Sequence, residues 1–152
     1  EVERDWLVNR ENLKSLLPNE PCWLTQTHST TVIDLDRDYQ TDIEGDAAYT
    51  GQVGQVAVVM TADCLPVLIA DKQQKKVAAI HAGWRGLANG IVAETIKKMG
   101  AKPENIQVWM GPAIGATAFE VGSEVKQCFV ESTLFNDGSD RIETAFVPAD
   151  NE

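Results

Sequence analysis

Basic residues are scarce in this sequence. Its 152 residues include 13 Lys and Arg against 23 Asp and Glu, which gives a formal net charge of −10. A field of this sign repels phosphate backbones and anionic lipid headgroups, so we expect no binding of nucleic acid or of a membrane surface. An anionic ligand would need a local pocket of hydrogen-bond donors.

Long apolar runs are also missing. No stretch approaches 18 uninterrupted apolar residues, which argues against a transmembrane helix. The first ten residues, "EVERDWLVNR", are charged and lack the apolar core of a signal peptide. These absences favour a cytoplasmic protein. Because the sequence begins with Glu1 instead of methionine, we also expect that it has been trimmed.

Cysteine and histidine are few. The three cysteines, at positions 22, 64 and 128, are an odd number and predict no disulfide framework, which suits a reducing compartment. The two histidines are His28 and His81. Any site built from thiolate and imidazole groups must therefore use very few residues.

What is present predicts one α/β domain over residues 1–152. Valine- and isoleucine-rich runs predict strands that are buried on both faces of a sheet. The clearest helix has a 3.6-residue apolar period, with Gly100 as a C-terminal cap. Predicted helices cover 6–17, 87–99 and 123–132; predicted strands cover 22–28, 30–36, 46–50, 55–62, 65–71, 76–83 and 105–111.

Three reactive residues stand at predicted strand ends. His28 ends "CWLTQTH", Cys64 ends "VAVVMTADC" and His81 lies near the end of "KVAAIHAG". One thiolate and two imidazoles suit a catalytic zinc site with a fourth position left for water. The same groups without metal suit a thiol nucleophile with its general base. A buried small cysteine and hydrogen-bonded structural histidines are the plainer interpretations, and the sequence leaves all of these open.

The turn "HAGWRG" joins a predicted strand to the strongest predicted helix. Gly83 and Gly86 allow the backbone to approach a ligand closely, and Arg85 offers a bidentate contact to an anion such as phosphate. A tight turn with a solvated arginine explains the same residues. Asp63 and Glu120 are further candidates to orient a ligand or a histidine, although such carboxylates are commonly solvated or bonded to backbone.

The segments "TADCLPVL", "HAGWRG" and "GPAIG…FEVG", with "QTH" upstream, resemble the bacterial YfiH-like family, also called the DUF152 or laccase-domain family. The resemblance implies a layered α/β/β/α sandwich with a mixed sheet, likened to cysteine-hydrolase-type toxin domains. Family members are longer, so we expect this chain to be incomplete at both ends. It departs from the commonest family pattern at Ala118 and Phe119, where other members often carry Cys-Tyr, and that position is not expected to be catalytic.

The resemblance also implies a function. His28, Cys64 and His81 match the family's metal-binding and catalytic trio, with zinc as the expected metal and copper as a possible one, and Arg85 matches a phosphate or substrate contact. The implied activity is phosphorolysis of adenosine, inosine and methylthioadenosine, with adenosine deamination as a second activity. The implied partners are a nucleoside and phosphate. The family's polyphenol oxidase label fits poorly, because two histidines cannot build a multicopper centre.

Two other classes of protein compete with this interpretation. A thiol hydrolase or amidase would use Cys64 as nucleophile and His81 as base, oriented by Asp63 or His28. A non-enzymatic module stabilised by zinc would hold the ion with four protein ligands, and the sequence shows no evident fourth ligand.

In the adenosine deamination that the family resemblance implies, Asp63 or Glu120 would move the protons. The sequence predicts no oligomeric state.

Overall fold

The computed structural model describes residues 2–135 and 141–147. The helices are α1 (Val2–Lys14), α2 (Trp84–Asn89), α3 (Ile91–Met99), α4 (Ser123–Glu131) and α5 (Arg141–Ala145), with 3-10 turns at Pro103–Asn105 and Ala116–Ala118. The strands are β1 (Pro21–Cys22), β2 (Leu24–Thr25), β3 (Val32–Asp34), β4 (Ile43–Glu44), β5 (Ala47–Thr50), β6 (Val56–Ala57), β7 (Leu65–Asp71), β8 (Lys76–Ala82) and β9 (Ile106–Met110). The sequence pattern predicts no closing element at the last residues, "VPADNE", and most of these lie outside the described residues.

The main sheet has five strands in the order β3-β5-β8-β7-β9. β3 pairs with β5 in parallel, and the other neighbours are antiparallel. Two short parallel pairs, β1 with β6 and β2 with β4, form a second layer. The mixed α/β class is therefore confirmed.

Helix α3 covers one face of the main sheet because its apolar residues repeat along one side. Ile91, Thr95 and Met99, four residues apart, are all buried. They pack with strand residues such as Ile69 and Ile80 into the larger core cluster. A smaller cluster on the opposite face joins residues of β1 and β2 to Ile33, Leu35 and Ala48. Helix α1 touches this layer through Arg10, whose guanidinium lies 4.1 Å from the Trp23 ring centroid. A helix layer, the main sheet and the layer of short strands therefore stack in that order, and α1 makes a single described ring contact with the last of them.

Two local predictions are wrong in their details. The single helix predicted at 87–99 begins three residues earlier and is interrupted at Gly90, which has a φ of 90° and ends α2. The strand predicted at 55–62 is reduced to Val56–Ala57. A continuous apolar run does not fix a strand when the sheet provides no neighbouring backbone to pair with it.

The prediction that the sheet is buried on both faces is also wrong for part of one face. On the face opposite α3, Leu68, Val77 and Trp109 are 44%, 47% and 56% exposed. Leu68 lies directly between Ala79 and Trp109 in the register, so these residues share one surface. The helices and the second layer cover the sheet near β3 and β5 and leave this side open among the described residues. No helix in the described part is long and apolar enough to cross a membrane.

Adjacent residues of β7 should therefore respond very differently to truncation. Ile69→Ala removes a side chain that is 2% exposed and should lower the free energy of unfolding by about 2–5 kcal/mol, because it leaves a cavity. Leu68→Ala, on the open face, serves as the control and should cost under about 1 kcal/mol. Urea unfolding of both variants measures this, and equal losses would contradict the assigned faces.

Candidate metal centre

Three side chains from distant parts of the sequence converge at one end of the main sheet. Ligand atoms of His28, Cys64 and His81 all lie within 4.8 Å of one another. The Cys64 Sγ is 3.7 Å from the His28 Nε2, and the two imidazole rings meet edge to face at 4.7 Å between centroids. His81 is buried, Cys64 is half-buried and His28 is exposed, so the cluster opens to solvent on the His28 side.

The register of β7 and β8 places Cys64. Leu65 pairs with Ala82, so the preceding Cys64 lies alongside Gly83, next to His81. Cys64 was predicted to follow a strand, which is wrong: β6 stops at Ala57, and Cys64 comes immediately before β7. His81 lies inside β8, one residue before its end, as the sequence predicted.

His28 is held in an uncommon backbone conformation. Its φ of 61° lies in the left-handed region, which costs a residue other than glycine about 1–3 kcal/mol. The amide groups of Thr27, His28 and Ser29 all donate hydrogen bonds to the carboxylate of Asp46, at 3.2, 2.9 and 2.7 Å. Three consecutive N–H groups that converge on one anion form an anion-binding nest, which compensates for the strain.

Asp46 also fixes the second histidine. Its carboxylate lies 2.8 Å from the Nδ1 of His81, and its backbone carbonyl accepts from the His81 amide at 2.7 Å. The Ser29 hydroxyl donates to the same carboxylate at 2.7 Å. With the carboxylate as acceptor, Nδ1 carries the proton and the Nε2 lone pair is left for a metal.

The ionised form of Asp46 is favoured despite its complete burial. Burial alone raises the pKa of this carboxyl and is the largest single influence. The hydrogen bonds from His81, Ser29 and Thr27 outweigh it together, so the pKa lies below its ordinary value of 3.8. Asp46 is therefore a buried anion that orients both imidazole-bearing segments.

Asp46 was not among the residues predicted from the sequence, which gave Asp63 or His28 as the partner of His81. The available signal was a charged residue directly before a fully buried strand, "DAAYT", where an unpaired carboxylate would be costly. Asp63 cannot take this role because it lies in an exposed turn, where its carbonyl accepts from the Ile114 amide.

Gly83 makes room for the cluster. A Cβ at this position would lie 2.7 Å from the His28 Cδ2 and 3.0 Å from the Cys64 Sγ. Its φ of −67° is accessible to any residue, so space and not backbone conformation requires glycine here. Gly86 is buried inside α2, where a Cβ would lie 3.3 Å from the Ser29 carbonyl.

The remaining predicted residues lie outside the cluster. Arg85 is exposed, and its guanidinium stacks 4.2 Å from the centroid of the neighbouring Trp84 ring. Glu120 is exposed beside Phe119, which lines a cavity. The structure thus brings three of the predicted site residues into one cluster with Gly83 against it, and it places Arg85 and Glu120 on the surface.

That cavity adjoins Cys64 and has a volume of about 680 Å³. Its wall is mostly aromatic and aliphatic, with Asp63, Cys64 and Arg141 as the polar or ionisable lining residues. Cavities of this size and composition are typical of small-molecule sites, in which a few polar groups orient an otherwise apolar contact. The aromatic lining residues are Trp84, Phe119, Phe129, Phe135 and Phe146.

The Cys64 thiol is held in its neutral form. Burial raises its pKa above the ordinary value of 9.0, and the negative charges of Asp63 and Asp46 raise it further. Reactive cysteine nucleophiles have a depressed pKa, so this environment disfavours a metal-free thiolate. A bound cation reverses the situation, because coordination deprotonates the thiol.

The donor set fits a single metal ion. Two imidazoles and a thiolate are catalytic-type ligands for zinc, and ligand atoms around a tetrahedral zinc lie about 3.4–3.8 Å apart. The 3.7 Å between Cys64 Sγ and His28 Nε2 matches this spacing, and the ligand atoms of all three residues lie within 4.8 Å of one another. Asp46 also supports His81 from its Nδ1 side, which is the outer carboxylate contact common for metal-binding histidines.

Fold and cluster together define a mixed α/β protein with a His-Cys-His group able to hold a metal. The family model described as multi-copper polyphenol oxidoreductase laccase matches residues 3–145, and the chain belongs to this family. It is 56% identical over 114 residues to a Haemophilus influenzae protein named purine nucleoside phosphorylase, covering 75% of this chain and 46% of the relative. It is 47% identical over 125 residues to the Escherichia coli purine nucleoside phosphorylase YfiH, covering 79% and 51%.

A solved structure supports the same assignment. The crystal structure of a Neisseria meningitidis protein of family DUF152 matches with a TM-score of 0.76 and 41% identity, over 83% of this chain and 52% of that chain. The resemblance to the YfiH-like DUF152 family is therefore confirmed. The chain spans about half the length of the curated relatives it matches.

Asp46→Asn should destabilise the protein and loosen the cluster. A neutral amide cannot accept all of the hydrogen bonds that converge on this carboxylate, so we expect a loss of about 2–4 kcal/mol at pH 7. The folded-state pKa lies below 3.8, so the carboxylate stabilises the fold fully above that pH, and its contribution is lost as pH falls through the folded pKa. The loss of unfolding free energy relative to wild type, measured by urea unfolding, should be smaller at pH 3 than at pH 7. Asp38→Asn, an exposed control, should cost little at either pH, and a pH-independent loss for Asp46→Asn would contradict the role of its charge.

Gly83→Ala should impair metal binding without backbone strain. The added methyl group would push His28 and Cys64 apart, so we expect zinc affinity to fall at least about 10-fold. Gly115→Ala is a matched control: Gly115 also precedes a short helical turn in an extended conformation, and nothing lies within 4 Å of its added Cβ. Competition with a chromophoric chelator measures both, and equal affinities would contradict the close approach at Gly83.

Proposed function

We propose that this chain carries the catalytic metal centre of a purine nucleoside phosphorylase. The observation that carries the proposal is the His28–Cys64–His81 cluster beside an apolar cavity of about 680 Å³. Relatives at 47–56% identity are named purine nucleoside phosphorylases, which supports this substrate class. Substrates are a purine nucleoside and inorganic phosphate.

In the proposed reaction a phosphate oxygen forms a bond to the anomeric carbon of the sugar. The bond from that carbon to the purine nitrogen breaks, and its electron pair leaves with the base, which takes up a proton. The products are the free base and the sugar 1-phosphate. A zinc ion held by the trio would supply positive charge for anionic groups in the site.

The chain's own residues have distinct proposed parts in this reaction. The aromatic wall of the cavity would hold the planar purine by stacking and exclude water, which strengthens electrostatic interactions with the few polar lining groups. Asp63, which lines the cavity next to Cys64, is the proposed proton donor or acceptor. Arg85 is exposed and would contact phosphate only after its guanidinium leaves the Trp84 ring.

Adenosine deamination is proposed as a second activity of the same site. In it, water replaces the 6-amino group of the base and ammonia leaves, with Asp63 or Glu120 moving the protons. Zinc is the proposed metal, with copper as an alternative occupant of one mononuclear site. Because the chain has two histidines in all, it does not by itself supply the imidazoles of a multicopper oxidase centre.

The thiol hydrolase hypothesis is less well supported. A nucleophilic Cys64 would need a lowered pKa, whereas burial and the nearby carboxylates raise it. His81, the base in that hypothesis, has Asp46 as its orienting carboxylate. The thiol hydrolase and the phosphorylase would therefore use the same arrangement of residues, and only the phosphorylase would use a metal.

Phosphate dependence tests the proposed function. Incubation with inosine should release hypoxanthine and ribose 1-phosphate only when phosphate is present, as chromatography of the products would show. Cys64→Ala should reduce turnover by more than about 100-fold, because losing a metal ligand costs more than losing a second-shell partner. Cys128→Ala, an exposed cysteine on α4, is the matched control and should retain activity. Base release that is independent of phosphate would overturn phosphorolysis.

A further inference from the structure

The glutamine of "QTH" makes a contact that the metal centre does not explain. Gln26 lies two residues before His28, and Met60 lies four residues before Cys64. The Gln26 Nε2 donates to the Met60 carbonyl at 2.7 Å, and the Gln26 Oε1 accepts from the Met60 amide at 2.8 Å. One side chain therefore binds both polar groups of a backbone residue in the segment that leads to Cys64.

This contact continues a strand pairing. β1 and β6 pair in parallel at Pro21 with Val56 and at Cys22 with Ala57. Beyond Ala57 the described backbone has no regular strand until Leu65. In an extended chain the N–H and C=O of one residue point to the same side, so the primary amide of Gln26 takes the place of a strand neighbour for Met60.

We propose that Gln26 is a positioning residue that sets the separation of Cys64 from His28. The Gln26 amide belongs to the segment that carries His28, and it hydrogen-bonds to the backbone of the segment that carries Cys64. The Arg10 guanidinium, 3.5 Å from the Met60 Sδ, and the Ile114 amide, 3.0 Å from the Asp63 carbonyl, are further contacts of that segment. Gln26 differs from both because it joins the Cys64 segment directly to the segment that carries another member of the trio.

The proposal does not depend on phosphorolysis, and metal-free protein tests it directly. Gln26→Met keeps an unbranched side chain of similar length and removes both hydrogen bonds. Iodoacetamide labelling followed by peptide mass spectrometry gives a rate for each cysteine. We expect Cys64 to react several-fold faster in this variant, because the released segment exposes its thiol. Buried Cys22 reports global unfolding and exposed Cys128 reports reagent activity, and both rates should remain at their wild-type values.

Gln73→Met is the matched control variant. Gln73 also uses its side-chain amide, accepting from the Asn105 Nδ2 at 2.7 Å, but at the opposite end of β7. It should leave the labelling of Cys64 unchanged. An unchanged Cys64 rate in Gln26→Met would overturn the proposal, and so would acceleration of Cys22 and Cys64 together, since that pattern indicates loss of the fold.

Zinc affinity, measured by chelator competition, provides a second readout. Gln26→Met should weaken binding at least several-fold relative to wild type, because the segment that carries Cys64 is no longer held at its separation from His28. Gln26→Glu keeps the acceptor for the Met60 amide but places a carboxylate against the Met60 carbonyl, so it should also weaken binding. If a folded Gln26→Glu variant binds zinc and labels at Cys64 as wild type does, the second bond of the amide has no positioning role and the proposal fails.

Discussion

The buried carboxylate of Asp46 is the interaction on which the site depends. It accepts bonds from three successive backbone amides, from the Ser29 hydroxyl and from His81 Nδ1. These bonds hold His28 in a left-handed conformation and turn His81 so that one ring nitrogen remains available. A neutral residue of the same shape offers fewer acceptor sites, so charge and geometry are both required. The three residues that could hold a metal are thus arranged around an anion that does not itself belong to the cluster.

The chemistry of the cluster follows from its unequal exposure. His81 is anchored inside the sheet, Cys64 lies at a strand start, and His28 faces solvent. The apolar cavity extends from the Cys64 side, with Asp63 at the boundary. Asp63 and Cys64, two of its three polar or ionisable lining residues, are adjacent in sequence and so lie together in a largely apolar wall. Small-molecule sites combine an apolar wall with a few polar groups in this way.

The three reactive residues were predictable from the sequence because each stands next to a break in an apolar run, and family motifs indicate the same three. It missed Asp46, because the amides that converge on this carboxylate belong to a turn 17 to 19 residues away and meet it only in the folded chain. It misjudged the run at 55–62 for a related reason: the partner of Met60 is a side chain and not a strand. The mixed α/β class was predictable from the resemblance. The open face at Leu68 was not predictable, because the burial of a strand residue depends on which elements cover that face of the sheet.

The long separation in sequence between Asp46 and His81, 35 residues, has a consequence for how the protein matures. The pairing of β5 with β8 brings the carboxylate to the imidazole, and this pairing joins segments that are far apart in sequence. An unfolded chain consequently contains the three side chains but not the cluster. A metal held only by the native state would add its binding free energy to the stability of the fold, and metal supply would then be linked to the lifetime of the folded chain.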